Sequence, residues 1–259
     1  MKVATSVILA RRKSLARLLA SHRYMPIAEV CSRLGVSPAT ARRDLSALAR
    51  ENHITRTYGG ALSAFDATLP SFADRRGIDR PSKGRIAEKA RALIRPRTTC
   101  FFDGGTTIFA LAEAIYRHPV PGLCAVTNSL PVAEMLGRCP EVEVHLVGGR
   151  FLQRQSLLLG DAALQSARRW KFELIFLGAE GLSARGIWAS KPEVAAFQKA
   201  LFGRAQRIIV CAHSAKLGRE TGTFLTRWNT RVQLITDAPA SLRTRHGLPA
   251  QPVLNHSHK

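Results

Sequence analysis

The chain has 259 residues and 46% hydrophobic content, enough for one large domain or two with a real core. Its formal charge of +21, carried by 30 arginines against 9 lysines, suits nucleic acid, an anionic membrane surface or anionic metabolites, and favours bidentate contacts to phosphate or carboxylate. Arg11, Arg12 and Lys13 interrupt the apolar patch near the N-terminus, and no apolar run approaches the length of a membrane helix, so neither a signal peptide nor a membrane span is expected and a soluble cytoplasmic protein is predicted.

Residues 1–62 hold 11 basic and 3 acidic side chains, a net of +8, so charge is denser here than in the rest, where 28 against 15 gives +13. "RRKSLARLLASH" predicts a first helix with Leu15, Leu18 and Leu19 on one side. "MPIAEVCSRLG" predicts a second, with Ile27, Val30 and Leu34 inward and Gly35 ending it. After the short turn "GVS", Ser37 is a good N-cap and Pro38 suits the first helical position of a third helix. On that helix Ala41, Leu45 and Leu48 form the buried stripe. Ala39, Arg43, Ser46 and Arg50 lie opposite, with Thr40 and Arg42 on the flanks. Two helices joined by a tight turn, the second presenting arginine beside small residues, are helix-turn-helix geometry. A solvated charged face is the bland alternative for Arg42 and Arg43 alone. "NHITRTYGGALS" then predicts two short strands around Gly59 and Gly60, a wing that brings Arg56 and Tyr58 to a DNA backbone.

Residues 63–80 show little periodicity and are expected to be a linker. Beyond them "TTCFFD", "LCAVTN", "VEVHLVGG", "LIFLGAEG" and "RIIVCAHS" are short apolar runs ending in polar residues or glycine. Helical segments such as "IFALAEAIYRH", "LPVAEMLGRC" and "PEVAAFQKALFGRA" alternate with them. The pattern predicts an α/β domain over 81–240 with a mostly parallel sheet, and residues 241–259 as a frayed tail.

Ligands of such sheets sit at the carboxyl ends of the strands. In "FFDGGTTIFALAEAI", Gly104 and Gly105 let the backbone approach a ligand, and the amides near Thr106 and Thr107 open a helix N-terminus suited to phosphate. Asp103 is placed to accept hydrogen bonds from sugar hydroxyls or to hold the loop. Thr127, Asn128 and Ser129 end the next strand, Gly148 and Gly149 another, and Glu180 with Gly181 another; Lys216 in "CAHSAKLG" adds a cation. Together these ends predict one shared pocket.

The five cysteines, Cys31, Cys100, Cys124, Cys139 and Cys211, are widely spaced without a C-x-x-C pair and are expected to be small core residues in a reducing compartment. No catalytic triad, zinc-binding spacing or P-loop is present, so neither metal nor cofactor is expected.

From residue 11 to 237 the chain resembles the DeoR family of bacterial transcriptional repressors. "GVSPATARRDLSAL" followed by "RTYGGA" is similar to the family's S-x-x-T-x-R-R-D-L…R-x-x-G-G-A signature. "KGRIAEKA", "DGGTT", "VTNS", "LVGG", "GAEGLS" and a lysine followed by "LG" resemble its sensor domain, itself similar in fold to ribose-phosphate isomerases and CoA transferases. The resemblance implies a winged helix-turn-helix domain joined to a phosphosugar sensor. It implies a repressor of sugar or polyol catabolism genes, released from double-stranded operator DNA by a phosphorylated intermediate.

Ser37, Thr40, Arg42, Arg43, Arg56, Tyr58, Gly59 and Gly60 are then the candidates for DNA contact. Asp103 through Thr107, Thr127, Asn128, Ser129, Gly148, Gly149, Glu180 and Lys216 are the candidates for effector contact. Pairing of half-sites makes a homodimer or homotetramer the expected assembly.

The chain departs from the family where an Asp and a Ser commonly precede the lysine; here they are His213 and Ala215. Glu193 and Lys199 stand six apart where the family commonly has four. Two other readings stay open. A sugar-phosphate isomerase-like enzyme would show turnover. A charge-driven DNA-binding protein would show no sequence preference at moderate salt.

Overall fold

The computed structural model describes residues 5–21, 24–50, 54–57, 60–63, 71–220 and 222–250. The chain divides into two compact units, Met1–Leu69 and Pro70–Lys259.

In the first unit three helices, α1 (Thr5–Ser21), α2 (Ile27–Leu34) and α3 (Pro38–Arg50), enclose a core of Leu15, Leu19, Met25, Val30, Ala41, Leu45 and Leu48. The stripe expected on α3 is the buried one, and α1 begins earlier than its apolar spacing suggested. Strand β1 (Tyr24–Pro26) pairs with β3 (Gly60–Ser63), which pairs in turn with β2 (Ile54–Thr57), all antiparallel. The wing is therefore a sheet of three strands in the order β1-β3-β2, the first contributed by the segment between α1 and α2.

The second unit is built on a parallel sheet of six strands in the order β14-β12-β9-β4-β5-β6. These are β4 (Thr99–Phe102), β5 (Leu123–Thr127), β6 (Val142–Leu146), β9 (Phe172–Gly178), β12 (Ala205–Cys211) and β14 (Val232–Ile235). Successive side chains point to opposite faces, so the apolar runs feed two cores. Phe102 stacks on Phe176 at 5.4 Å in the core covered by α5 (Arg80–Arg91), α6 (Thr106–Arg117) and α7 (Leu130–Leu136). Phe101 meets Phe172 and Phe197 in the core covered by α8 (Asp161–Arg168) and α9 (Pro192–Phe202).

A hairpin, β7 (Arg150–Leu152) with β8 (Leu157–Leu159), follows β6. A small antiparallel sheet joins β10 (Gly181–Ser183), β11 (Gly186–Ala189) and β13 (Thr223–Thr226).

Two expectations are corrected. The segment assigned to the linker contains α4 (Phe72–Arg76), capped by a reciprocal Ser71–Asp74 box, and Phe72 is buried against Phe109 at 5.6 Å. One apolar ring among charged residues carries no periodicity, yet it anchors α4 within the second unit. The segment assigned to a frayed tail contains α10 (Ala240–Arg245), and Leu248 is buried in the α8/α9 core. Residues 251–259 lie outside the described residues. Among the described residues no helix is long and apolar enough to cross a membrane.

Candidate functional site

In the first unit, the Ser37 hydroxyl accepts from the Thr40 amide at 3.3 Å and lies 3.0 Å from the Thr40 hydroxyl, which fixes the start of α3. Ala39, Arg42 and Arg43 are exposed on that helix. Arginine is thus presented outward beside a small residue, as its spacing predicts.

Asp44, one position on, is buried between two cations that sequence reading did not pair with it. Arg11 donates to one oxygen at 2.6 Å and Arg12 to the other at 3.0 Å. Burial alone would raise the Asp44 carboxyl; the two guanidinium groups overcome that and hold it below the usual carboxylate value. The result ties α1 to the helix that carries Arg43. Arg56 and Gly60 lie on β2 and β3 at the tip of the wing, and Tyr58 and Gly59 lie outside the described residues.

In the second unit the chain runs outward from the centre of the sheet in both directions. From β4 it steps to β5 and β6 on one side; β9 lies on the other side of β4, followed by β12 and β14. The strand order therefore reverses between β4 and β9, the place where open parallel sheets form a crevice at their carboxyl ends. Asp103 and Gly178 stand at that crevice, and the Asp103 amide donates to the Phe176 carbonyl at 2.9 Å.

Among the described residues the Asp103 side chain has no cation in ion-pair contact. Gln198 of α9 donates to one of its oxygens at 2.6 Å, while the Gly104 and Gly178 N–H groups and the Asn128 amide lie near the carboxyl without making a well-formed hydrogen bond to the other oxygen. Burial pushes the carboxyl up to about 6, eased only in part by the Gln198 amide and the nearby Gly104 and Gly178 N–H groups. Asn128 and Gln198, both beside this carboxyl, carry the buried oxygens Oδ1 and Oε1 without a protein hydrogen bond, and Ser129 Oγ, next to Asn128 in the chain, is another. Native proteins leave few such atoms unpaired, and a cluster of them beside a perturbed carboxyl marks a place for a polar ligand.

The loop after Asp103 leads directly into α6. Gly105, at φ +104°, occupies the N-cap position with open space where a side chain would be, and no side chain caps the helix. First-turn amides of a helix have no intrahelical acceptor, so those of Thr106 and Thr107 are suited to an anion. Gly104 serves differently from expectation: a Cβ there would stand 1.9 Å from the Leu157 side chain, so the residue makes room for the β7–β8 hairpin.

Two further candidates also turn out to hold the scaffold. The Thr127 hydroxyl donates to the Phe102 carbonyl at 2.7 Å and accepts from the Ser129 amide at 3.0 Å, clamping adjacent strand ends. A Cβ on Gly149 would come within 2.7 Å of the Leu159 carbonyl, so this position permits close chain packing; Gly148 beside it is exposed.

Lys216 and Glu180 were expected to face a ligand separately. They form an ion pair at 2.6 Å instead. Further cations act on this pair, Arg75 from the segment expected to be a linker and Lys83 from α5. Arg75 lies within electrostatic reach of Glu180, and the buried Lys83 donates to the Arg75 and Ile78 carbonyls at 2.6 and 2.5 Å. His213 is half-buried with its Nδ1 unbonded, 3.7 Å from Asp79. Burial, then the charges of Lys216 and Lys83, lower its pKa and favour the neutral imidazole. Of the α9 pair noted from sequence, Glu193 binds Arg150 at 2.6 Å and Lys199 is exposed; Gln198 is the residue of that helix that reaches the crevice. A buried glutamine on an otherwise apolar face was the available signal for it.

Comparison with known proteins gives matches over most of the chain. The family model for the DeoR C terminal sensor domain matches residues 79–238, and that for the DeoR-like helix-turn-helix domain matches residues 11–66. The putative aga operon transcriptional repressor of Escherichia coli O157:H7 is 30% identical over 215 residues, 82% of this chain and 79% of that one. The glycerol-3-phosphate regulon repressor of Escherichia coli strain K12 is 29% identical over 231 residues, 88% of this chain and 90% of that one. Among solved structures, ribose 5 phosphate isomerase A from Neisseria gonorrhoeae superposes with a TM-score of 0.39 at 18% identity, over 52% of each chain.

Proposed function

The chain belongs to the DeoR family, and from that membership we propose that it is a sequence-specific transcriptional repressor of carbohydrate or polyol catabolism genes, not an enzyme, released from its operator by a phosphorylated sugar or polyol. In this reading residues 1–62 form the DNA-binding domain. Arg43 reads a base edge in the major groove, while Arg42 and Arg56 hold phosphates. Ser37 and Thr40 fix the helix on the backbone, and Tyr58, Gly59 and Gly60 shape the wing. The protein acts in the cytoplasm as a homodimer or homotetramer that pairs two half-sites.

The observation that carries the effector reading is the set of buried polar atoms without protein partners around Asp103, beside the uncapped start of α6. The phosphate sits on the amides and hydroxyls of Thr106 and Thr107, and Lys216 contributes charge while remaining tied to Glu180. Asp103, Asn128, Ser129, Glu180 and Gln198 address the hydroxyl end. A tenfold loss of operator affinity needs a coupling of only ~1.4 kcal/mol between the two sites.

The test is competition binding of the full chain to DNA from the promoter beside its own gene. A preference over random DNA that persists at moderate salt, and is lost on adding one member of a panel of sugar and polyol phosphates, is the expected result. Equal binding to both DNAs, or sugar-phosphate turnover, would overturn it.

A further inference from the structure

The parallel register of β5 and β6 sets Cys124 opposite Glu143 and Val126 opposite His145. Alternate residues of a strand share a face, so Cys124, Glu143 and His145 project from the same side of the sheet. Their donor atoms, one thiol sulfur, one carboxylate oxygen and one imidazole nitrogen, all lie within 4.8 Å of one another. This cluster sits on the edge strand β6 and its neighbour, with Cys124 near the amino end of β5, and it shares no residue with the crevice around Asp103.

Three features separate the cluster from a chance meeting of surface side chains. Two adjacent, hydrogen-bonded strands fix the spacing of its members. The imidazole is oriented on both sides: its Nε2 lies 2.8 Å from Glu143, and its ring packs against Trp170 with centroids 4.5 Å apart. In a chain of net charge +21, the charges that act on the Cys124 sulfur are carboxylates, those of Glu143 and Glu173. Cys124 is only half-buried, so an ion has a way in.

We infer that Cys124, Glu143 and His145 form a binding site for one borderline-soft divalent cation of the zinc class. Thiolate and imidazole select such ions over magnesium or calcium, which prefer all-oxygen sets. Three protein ligands leave a fourth tetrahedral position for water or another donor. Binding replaces the thiol proton with the metal, and the proton leaves to solvent. The C-x-x-C and H-x-x-x-H spacings that announce zinc in a sequence are absent because the ligands come from neighbouring strands.

Cobalt(II) is the probe, since its absorption reports both geometry and thiolate ligation. The full chain, freed of metal by a chelator and kept reduced, should take up one equivalent with tetrahedral visible bands and a thiolate-to-metal charge-transfer band. Zinc should displace it and excess magnesium should not. Cys124→Ser should abolish the charge-transfer band, His145→Ala should weaken binding roughly tenfold or more, and Cys31→Ser should change nothing. Should Cys124→Ser fail to fold, Glu143→Gln at an exposed position carries the test by weakened binding. A cobalt spectrum without charge transfer, a band that survives in a folded Cys124→Ser chain, or unchanged affinity in Glu143→Gln would overturn the assignment.

Discussion

Two aspartates are buried to almost the same extent in the two units, Asp44 at 2% exposure and Asp103 at 3%, and their surroundings are opposite. Asp44 has an arginine on each oxygen. Asp103 has neutral neighbours only: a short hydrogen bond from the Gln198 amide, and nearby Gly104, Gly178 and Asn128 groups that make no well-formed bond to its other oxygen. The first carboxylate is satisfied by its fold and holds two helices together. The second is left in want by its fold, at the point where the strand order reverses between β4 and β9. Burial alone therefore does not separate scaffold from site; the completeness of the partner set does.

The two groups also pull on stability in opposite senses with pH. Asp44 has a lowered folded-state pKa, so it contributes stability above the unfolded value of 3.8, and that contribution is lost as pH falls through the lowered value. Asp103 has a raised pKa, so the folded state keeps a proton that the unfolded chain gives up. Its effect is a loss of stability that sets in between 3.8 and about 6 as pH rises and is complete above.

Removing Asp44 is the largest expected effect. Asp44→Ala leaves Arg11 and Arg12 without their counterion and should destabilise the first unit by about 3–5 kcal/mol. All three tryptophans, Trp170, Trp188 and Trp228, lie in the second unit, so tryptophan fluorescence reports that unit alone. The variant should therefore lose helical circular dichroism at lower temperature with an unchanged fluorescence transition. A fluorescence transition that moves equally would break the distinction between the units.

Asp103→Asn should act in the reverse direction. Each pKa unit corresponds to about 1.4 kcal/mol, so the neutral side chain should raise the stability of the second unit by about 2–3 kcal/mol at pH 7, with the gain fading toward pH 4. The same variant should bind operator and no longer respond to effector. A destabilised variant at pH 7 would show that Asp103 is scaffold like Asp44.

On α3 the contrast is between a residue that holds the helix and one that reads from it. Arg43→Ala should cost roughly 1–3 kcal/mol on the operator and relax preference at one position, while leaving the fold intact. Arg56→Ala should weaken all sequences alike and reduce the salt slope by about one. Equal losses on operator and random DNA for Arg43→Ala would remove its base-reading role. The smallest effect is Ser37→Ala, which removes the cap on Thr40 and should lower the stability of the first unit by about 1 kcal/mol.

Features with a local period were legible in the sequence. Ala41, Leu45 and Leu48 recur at helical spacing and are the buried face; the runs at 99–102, 123–127 and 205–211 are core strands of the sheet. Candidate residues at strand ends were legible because glycine and hydroxyl residues interrupt apolar runs there. Contacts made across the fold were not. Asp44 meets arginines more than thirty positions away, and Gln198 reaches Asp103 across 95. Neither leaves a trace in local periodicity. Arg75 sits in a charged stretch that reads as linker, and the buried Phe72 beside it carries no local period to reveal that the stretch packs on the core. The ion pair of Lys216 with Glu180 depends on how two strand ends are set side by side, which composition does not report. The hairpin over Gly104 has strands of three residues each, too short to show alternation.

The central claim is that the strand ends around Asp103 receive a phosphorylated sugar or polyol. Calorimetric titration of the full chain with a panel of such phosphates tests it most directly. One member should bind with saturation, and Lys216→Ala and Asp103→Asn should each abolish or strongly weaken that binding while the chain still binds its operator. No binding by any member, or undiminished binding in both variants, would contradict the account.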